Sequence, residues 1–398
     1  MVGTAGGGAE EAVRRWVEAG GGRLVLDGGL ATELEANGAD LNDPLWSAKC
    51  LLSSPHLIRK ASLNSRIPPN PKDPSLPVLF FPKKHLIVWN CDLNNSLIGK
   101  QSFFKLSRHI NLPFMYLVKQ VHMDYLEAGA NIIITASYQA TIQGFESKGF
   151  SKEQSENLLT KSVEIAREAR EMFLKEHLDQ STPTQQPILV AASIGSYGAY
   201  LADGSEYSGD YGEAGTVQFL KDFHRRRLQV LAEAGPDLIA FETIPNKLEA
   251  QAYVELLEEC NINIPAWFSF NSKDGVNIVS GDSLIECTNI ADNCAKVGAV
   301  GINCTPPRFI HGLIRSIQKI TDKPILIYPN SGERYDGEKK EWVESTGVSD
   351  GDFVSYVSEW CKDGASLIGG CCRTTPNTIR AIHRTLNQGS NVQQLPVA

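Results

Sequence analysis

Three cysteines hold the chemistry most legible in this chain. Cys371 and Cys372 are adjacent in Ser366-Leu-Ile-Gly-Gly-Cys-Cys-Arg-Thr-Thr-Pro376, and Cys304 lies in Ala299-Val-Gly-Ile-Asn-Cys-Thr-Pro-Pro307. Each stretch reads as a short apolar strand that ends in thiols and passes through proline into a helix. Neighbouring side chains of a regular strand point to opposite faces, so the adjacent pair serves one site only where the backbone bends. Gly369 and Gly370 are the expected source of that bend. The helix after Pro376 is expected to aim its positive end at the thiols, which favours thiolate. Two thiolates make a poor metal site. A third completes the set of a catalytic zinc with one open position. Zinc on three thiolates is soft, accepts a fourth, and lowers the pKa of an incoming thiol. The competing reading is that all three are small buried hydrophobes. Adjacency after Gly-Gly, with a third thiol at another strand end, favours the metal. The six other cysteines fall in helices or in an irregular stretch and read as packing.

These residues need a scaffold that brings distant strand ends together. Eight continuously apolar runs are present, beginning with Arg23–Gly29, Asn131–Tyr138, Ile188–Gly195 and Asp237–Ile244. Pro265–Phe270, Ala299–Asn303, Pro324–Pro329 and Ser366–Gly369 complete the set. Continuous rather than alternating apolarity marks strands covered on both faces. Amphipathic stretches separate them, among them Glu153–Glu176, Thr216–Ala234, Lys247–Cys260, Ser283–Val297, Phe309–Ile320 and Gly351–Lys362. The pattern predicts a single-domain α/β chain folded as a (β/α)8 TIM barrel, with its chemistry at the strand C-termini. There stand Asp27, Ser137, Ser193, Glu242, Asn271, Cys304, Asn330 and the Cys371-Cys372 pair. Asp27 and Glu242 can pair with an ammonium, while the N–H groups of Gly28 and Gly29 can approach a carboxylate. Together they would grip an α-amino acid. Ser137 and Thr135 are expected to orient a thiol, and Asn303 to support the metal from behind. Tyr138, Tyr197 and Tyr200 are candidates to stack on a cationic methyl donor. Glu333 is a rim carboxylate with no assigned role.

One segment departs from the pattern. Residues 61–120 carry seven of the 20 prolines and eight Lys plus Arg against two acidic residues. No helical periodicity is read there. Without it, Ser54–Lys60 runs into Val121–Gly129 as one amphipathic helix, capped by Ser54 with Pro55 at its first turn. The expected organisation is an N-terminal tail and short helix over 1–20, a barrel over 21–60 and 121–388, an atypical insertion over 61–120, and a tail over 389–398. Retained non-coding sequence or an unusual splice form would explain the insertion. A lineage-specific loop is the alternative.

Bulk properties limit the function. The chain has 398 residues, 42% hydrophobic and 21% charged, with a net charge of −8. That balance argues against nucleic acid or an anionic membrane as partner. No apolar run approaches the length of a spanning helix. Met1–Glu10 is Gly-rich without a basic region and reads as a cytosolic start, so the expected location is cytoplasmic. Nine cysteines in a reducing compartment point to ligands or nucleophiles rather than disulfides. There is no P-loop, no H-E-x-x-H and no G-x-S-x-G, and Gly6–Gly8 does not open a strand-turn-helix.

The Asp27-Gly-Gly29 turn, the Gly301-Ile-Asn-Cys-Thr305 strand end and Gly369-Gly-Cys-Cys-Arg-Thr-Thr-Pro376 resemble the homocysteine S-methyltransferases. The likeness spans about 20–60 and 121–386. Ala192–Asp210 is similar to the plant-type subgroup that uses S-methylmethionine, with S-adenosylmethionine as a second donor. The resemblance implies zinc on Cys304, Cys371 and Cys372, and homocysteine held by Asp27, Gly28, Gly29 and Glu242. The thiol would attack the sulfonium methyl group in line, giving methionine. Selenocysteine methyltransferases are near relatives. Other readings are a barrel lyase, which lacks the strand-end lysine a Schiff base needs, and a non-catalytic splice product with a disrupted barrel. A monomer is expected.

Overall fold

The computed structural model describes residues 8–52, 112–177, 186–336, 341–343 and 347–390. The chain divides into one unit of residues 1–51 and 117–398 and a second of residues 52–116, of which only 52 and 112–116 are described. The first unit contains the barrel strands β1 (Leu24–Val25), β2 (Ile132–Ile134), β3 (Leu189–Gly195) and β4 (Leu238–Ile244). It continues with β5 (Ala266–Phe270), β6 (Val297–Asn303), β7 (Ile325–Tyr328) and β8 (Ala365–Ile368). They form one eight-stranded parallel sheet in the order β1-β8-β7-β6-β5-β4-β3-β2. A parallel bridge between Leu26 and Ile132 joins the two ends, with the Asp27 N–H donating to the Ile132 carbonyl at 2.9 Å. The expected (β/α)8 barrel is therefore present, closed, and not disrupted.

Side chains of Leu24, Leu26, Leu189, Ala191, Leu238, Ala240, Trp267, Leu326 and Leu367 share one buried cluster. Val13 of the helix Ala9–Ala19 belongs to the same cluster. Gly298 lets this helix approach, since a Cβ there would lie 2.6 Å from the Ala9 carbonyl and 2.8 Å from Val13. No helix among the described residues is long and apolar enough to cross a membrane.

Two helix boundaries and one hairpin differ from the sequence reading. The helix expected over Ser283–Val297 runs only over Leu284–Asp292. Lys323 arrives from the turn before β7 and donates to the carbonyls of Ala291, Asp292 and Cys294 at 3.1, 2.7 and 2.9 Å. A cation on the last carbonyls ends the helix from outside its own sequence. The helix expected to restart at Val121 already runs over Leu112–Glu127. Pro113 suits its first turn, and Val118, Val121, His122 and Tyr125 are all buried on one face. The irregular stretch thus ends before 112. The rest of the expected insertion over 61–120, with Ser54 and Pro55, lies outside the described residues. A short antiparallel hairpin, Arg334–Asp336 with Glu341–Val343, follows β7 and was not foreseen.

Barrel closure leaves no room at Gly301, where a Cβ would run into the Leu326 carbonyl of the neighbouring strand. Gly301→Ala should cost roughly 3 kcal/mol or more in urea unfolding, because a backbone atom cannot yield. Gly312, in the helix Pro307–Ile317, has nothing nearer than 3.9 Å. There the same substitution should stabilise by about 0.5–1 kcal/mol.

Candidate active site

The end of β6 is shaped by two residues. Cys304 follows Asn303 with φ at +44°, a left-handed backbone that a non-glycine residue holds at a cost of order 1 kcal/mol. Its N–H donates to the Tyr328 carbonyl at 3.3 Å. Cys371 follows β8, and its N–H donates to the next carbonyl of the same strand end, Pro329, at 2.8 Å. Both cysteine backbones therefore hang on the C-terminal end of β7.

Gly369 and Gly370, the expected source of the bend that brings Cys371 and Cys372 to one side, are not left-handed. The left-handed residue is Arg373, at φ +64°. Its N–H donates to Thr32 Oγ1 at 2.9 Å and its Nε to Glu333 Oε2 at 2.5 Å, which gives Glu333 a role. Thr374 closes the turn, its hydroxyl donating to the Cys371 carbonyl at 2.7 Å. Gly369 and Gly370 serve close packing instead. A Cβ on Gly369 would lie 2.6 Å from the Leu26 Cβ, and one on Gly370 would strike Thr374.

The outcome is three sulfurs in one place. Cys304 Sγ lies 2.6 Å from Cys371 Sγ and 3.9 Å from Cys372 Sγ, and Cys371 and Cys372 are 3.9 Å apart. Tetrahedral zinc with bonds of about 2.3 Å places its sulfurs about 3.8 Å apart. Two separations match, and the third matches after an opening of about 1.2 Å. This is the group of three ligand-type side chains found within 4.8 Å of one another among the described residues. The two neighbouring thiols, donating to Cys372, hold it well below the ordinary thiol range. Elsewhere burial pushes Cys50 and Cys287 up to about 12, as expected of inert packing thiols.

Beside the sulfurs stand two buried carboxylates. Asp27 accepts from the Ile134 N–H at 2.8 Å through Oδ2, while Oδ1 is sealed from solvent without a partner. Burial raises its carboxyl well above the usual range, and Glu242 and Cys371 add to the rise. Glu242 accepts from Ser193 Oγ and from Tyr328, yet burial still pushes its carboxyl up to about 7. Such a pair is short of positive charge. Gly28 and Gly29 pack against Thr374, Tyr125, Thr32 and the Cys371 carbonyl, leaving no room for side chains. The Gly29 N–H is already taken by the Thr374 carbonyl and hydroxyl, at 3.0 and 3.2 Å, so it does not await a ligand as expected. The Gly28 N–H has no partner among the described residues.

Ser137, expected to orient a thiol, and Asn303, expected to support the metal from behind, are both tied into the barrel wall. Ser137 Oγ donates to the Ser193 carbonyl at 2.8 Å and meets Thr135 Oγ1 at 2.7 Å, joining the end of β2 to β3. Asn303 spends its amide on Thr243: Oδ1 accepts from the N–H and Nδ2 donates to Oγ1, each at 2.8 Å. Thr243 is left-handed at φ +57° and immediately follows Glu242, so Asn303 ties the Glu242 strand end to the residue before Cys304. Tyr138 faces the chamber, with Glu206, Cys304 and Glu242 in electrostatic reach of its hydroxyl and Trp46 edge-on at 6.1 Å. Tyr197 and Tyr200 do not join it. They pack with each other and with Phe223 in a separate aromatic cluster.

Sequence reasoning missed Arg227. It is buried in the helix Val217–Glu233 and donates to the carbonyls of Gly195, Ser137 and Tyr138 at 2.9, 2.8 and 2.7 Å. One guanidinium thus fixes the chain just beyond β2 to the end of β3. Its only signal is membership of the run Arg225-Arg226-Arg227, where helical phase alone marks the inward residue.

Fold and site together define a closed (β/α)8 barrel with three thiols and two cation-seeking carboxylates at its C-terminal mouth. A profile of the homocysteine S-methyltransferases matches residues 24–386. Homocysteine S-methyltransferase 3 of Zea mays is 77% identical over 398 residues, covering 100% of both chains. Selenocysteine Se-methyltransferase of Brassica oleracea var. italica is 59% identical over 369 residues, covering 92% of this chain and 89% of its own. The metallated form of the homocysteine methyltransferase MmuM from Escherichia coli superposes with a TM-score of 0.66 at 36% identity, covering 91% and 96%. The chain belongs to the homocysteine S-methyltransferase family.

The buried carboxylates should tax stability. A carboxyl whose folded pKa is raised from 4.5 to about 7 binds its proton more tightly when folded, so stability falls as pH rises through that window. Glu242→Gln should therefore stabilise by up to about 3 kcal/mol at pH 8 in denaturant titrations. The gain should vanish below pH 4.5, and a pH-independent difference would rule out the buried charge as its origin.

Proposed function

We propose that this chain transfers a methyl group from a sulfonium donor, S-methylmethionine or S-adenosylmethionine, to the thiol of L-homocysteine, yielding methionine. The observation that carries the reading is the juxtaposition of the three-sulfur cluster with the orphan oxygen of Asp27 and with Glu242. An amino acid whose ammonium sits on the two carboxylates, and whose carboxylate takes the Gly28 N–H, presents a side-chain thiol to the cysteines. Selenocysteine offers the same head group, and the 59% identity to a named selenocysteine Se-methyltransferase makes it the second acceptor to assay.

Cys304, Cys371 and Cys372 are the residues that would hold zinc, whose Lewis acidity lowers the pKa of a bound thiol toward neutrality. The protein's other work is positional. Arg227 and Asn303 hold the strand ends, Thr374 and Arg373 hold the cysteine turn, and the carboxylates orient the acceptor. In the transfer, the donor's S–CH3 bond breaks with its electron pair left on the donor sulfur, and a thiolate pair forms the new C–S bond. Opposite charges become two neutral thioethers, so a chamber poor in water favours the transition state over bulk water. Three free thiols in the site require reducing surroundings, which supports a cytoplasmic location.

Cys304→Ala, Cys371→Ala and Cys372→Ala should each abolish stoichiometric zinc, read by elemental analysis, together with methionine formation from homocysteine and S-methylmethionine. Full turnover in a metal-free variant would overturn the assignment.

A further inference from the structure

The segment between β3 and the helix Val217–Glu233 crosses the barrel mouth. After a short helix, Tyr197–Leu201, the chain turns left-handed at Ala202 and makes a tight turn over Ser205–Tyr207. The Glu206 carbonyl accepts from Asn271 Nδ2, just past β5, at 2.9 Å. The Gly209 carbonyl accepts from Asn246 Nδ2, just past β4, at 2.9 Å. Tyr211 donates to Glu249 Oε2 at 2.6 Å and accepts from the Gly198 N–H at 3.1 Å. Gly198 can have no side chain, because its Cβ would lie 2.5 Å from the Glu206 nitrogen. Tyr207 is 43% exposed, yet burial raises its hydroxyl well above the ordinary range, and Cys304 and Cys372 lie in electrostatic reach of it. The loop therefore spans from β3 over β4 and β5 to the sulfurs that follow β6 and β8.

Glu206 is the anomaly in this roof. One carboxylate oxygen has no solvent and no hydrogen-bond partner. The carboxylate is bonded by its own backbone N–H, and no lysine or arginine among the described residues pairs with it. Its electrostatic neighbours are Asp203, Tyr138 and Tyr207, the last two of which also face Cys304. A buried carboxylate on the roof, opposite an acceptor pocket that has its own two carboxylates, lacks a cation that the acceptor does not supply.

We propose that Glu206 is a specificity-determining residue for the methyl donor, its carboxylate receiving a positive charge of that donor across the chamber from the cysteine cluster. This rests on the methyl-transfer reading above. A sulfonium and an α-ammonium are two sources of such a charge on S-methylmethionine. In either case the interaction exists before reaction and does not strengthen in the transition state, since the sulfonium charge is being lost. The contribution must therefore show in donor affinity rather than in turnover.

The test compares Glu206→Gln and Glu206→Asp with wild type, each first assayed for zinc content. Glu206→Gln should raise the KM for S-methylmethionine roughly tenfold or more, as expected for loss of a charge-assisted contact. It should leave kcat, the homocysteine KM and metal content within about twofold. Glu206→Asp should recover part of the loss. A second donor, dimethylsulfoniopropionate, has the sulfonium but no amine. A penalty retained with it assigns the charge to the sulfonium, and a penalty lost assigns it to the ammonium. Unchanged donor KM, or a fall in kcat accompanied by loss of metal, would overturn the proposal. Calorimetric titration of S-methylmethionine into wild type and Glu206→Gln separates the two readings. If wild type binds the donor more tightly than the variant yet forms no methionine, the methyl-transfer reading fails and the Glu206 contact stands. If the two bind alike, the contact fails.

Discussion

The end of β7 is the ruler for this site. Cys304 and Cys371 come from strands that flank β7 and never pair with each other, yet their backbones hydrogen-bond to consecutive carbonyls, Tyr328 and Pro329. Two peptide bonds of one strand thus set how far apart two sulfurs that follow different strands can be. That register exists only because the barrel closes. With β8 hydrogen-bonded between β7 and β1, a slip by one residue would turn a cysteine to the other face of its strand. Everything chemical in the site depends on that spacing, since a metal–sulfur bond tolerates only tenths of an ångström.

Around this frame the protein holds several groups in conformations they would not choose alone. Thr243, Cys304 and Arg373 are left-handed without being glycine, and each stands beside a residue of the site. Asp27 and Glu206 each hold a carboxylate oxygen away from water without a partner, and burial raises the Glu242 carboxyl although two hydroxyls donate to it. A local cost of this kind persists only where surrounding packing over-determines it. In this barrel β3, β4, β5 and β6 are buried along their whole length, and Arg227 and Asn303 add cross-strand ties. On the proposed reading, the acceptor would bring one ammonium and a sulfonium donor at least one further positive charge, which together would complete the site electrostatically.

Much of this could be read from residue order. Eight apolar runs bounded by glycine and helical stretches fixed the fold class, because parallel strands covered on both faces leave a pattern that survives in one dimension. The three clustered thiols were legible for a different reason: two adjacent cysteines after Gly-Gly are chemically conspicuous, and a third at another strand end lies on the same rim by topology. The Asp27-Gly28-Gly29 turn and Glu242 were placed by the same rule.

Residues acting through tertiary contacts were not legible. Nothing near Asn293 announces that Lys323 will end its helix, and nothing in Arg225-Arg226-Arg227 says that the third will tie two strand ends together. That Ser137 and Asn303 would bond Ser193 and Thr243 across neighbouring strands could not be read from their places at strand ends. The roof loop stood out only as the Ala192–Asp210 likeness, which gave Glu206 no position, as its place is set by Asn246 and Asn271 from other strands. Composition and periodicity by themselves determined which residues form strands, which end lies at the mouth and which side chains can ligate. Hydrogen bonds between segments far apart in the chain decided which polar atoms were already spent and which were left for a ligand, because satisfaction of a buried group depends on its neighbours in space.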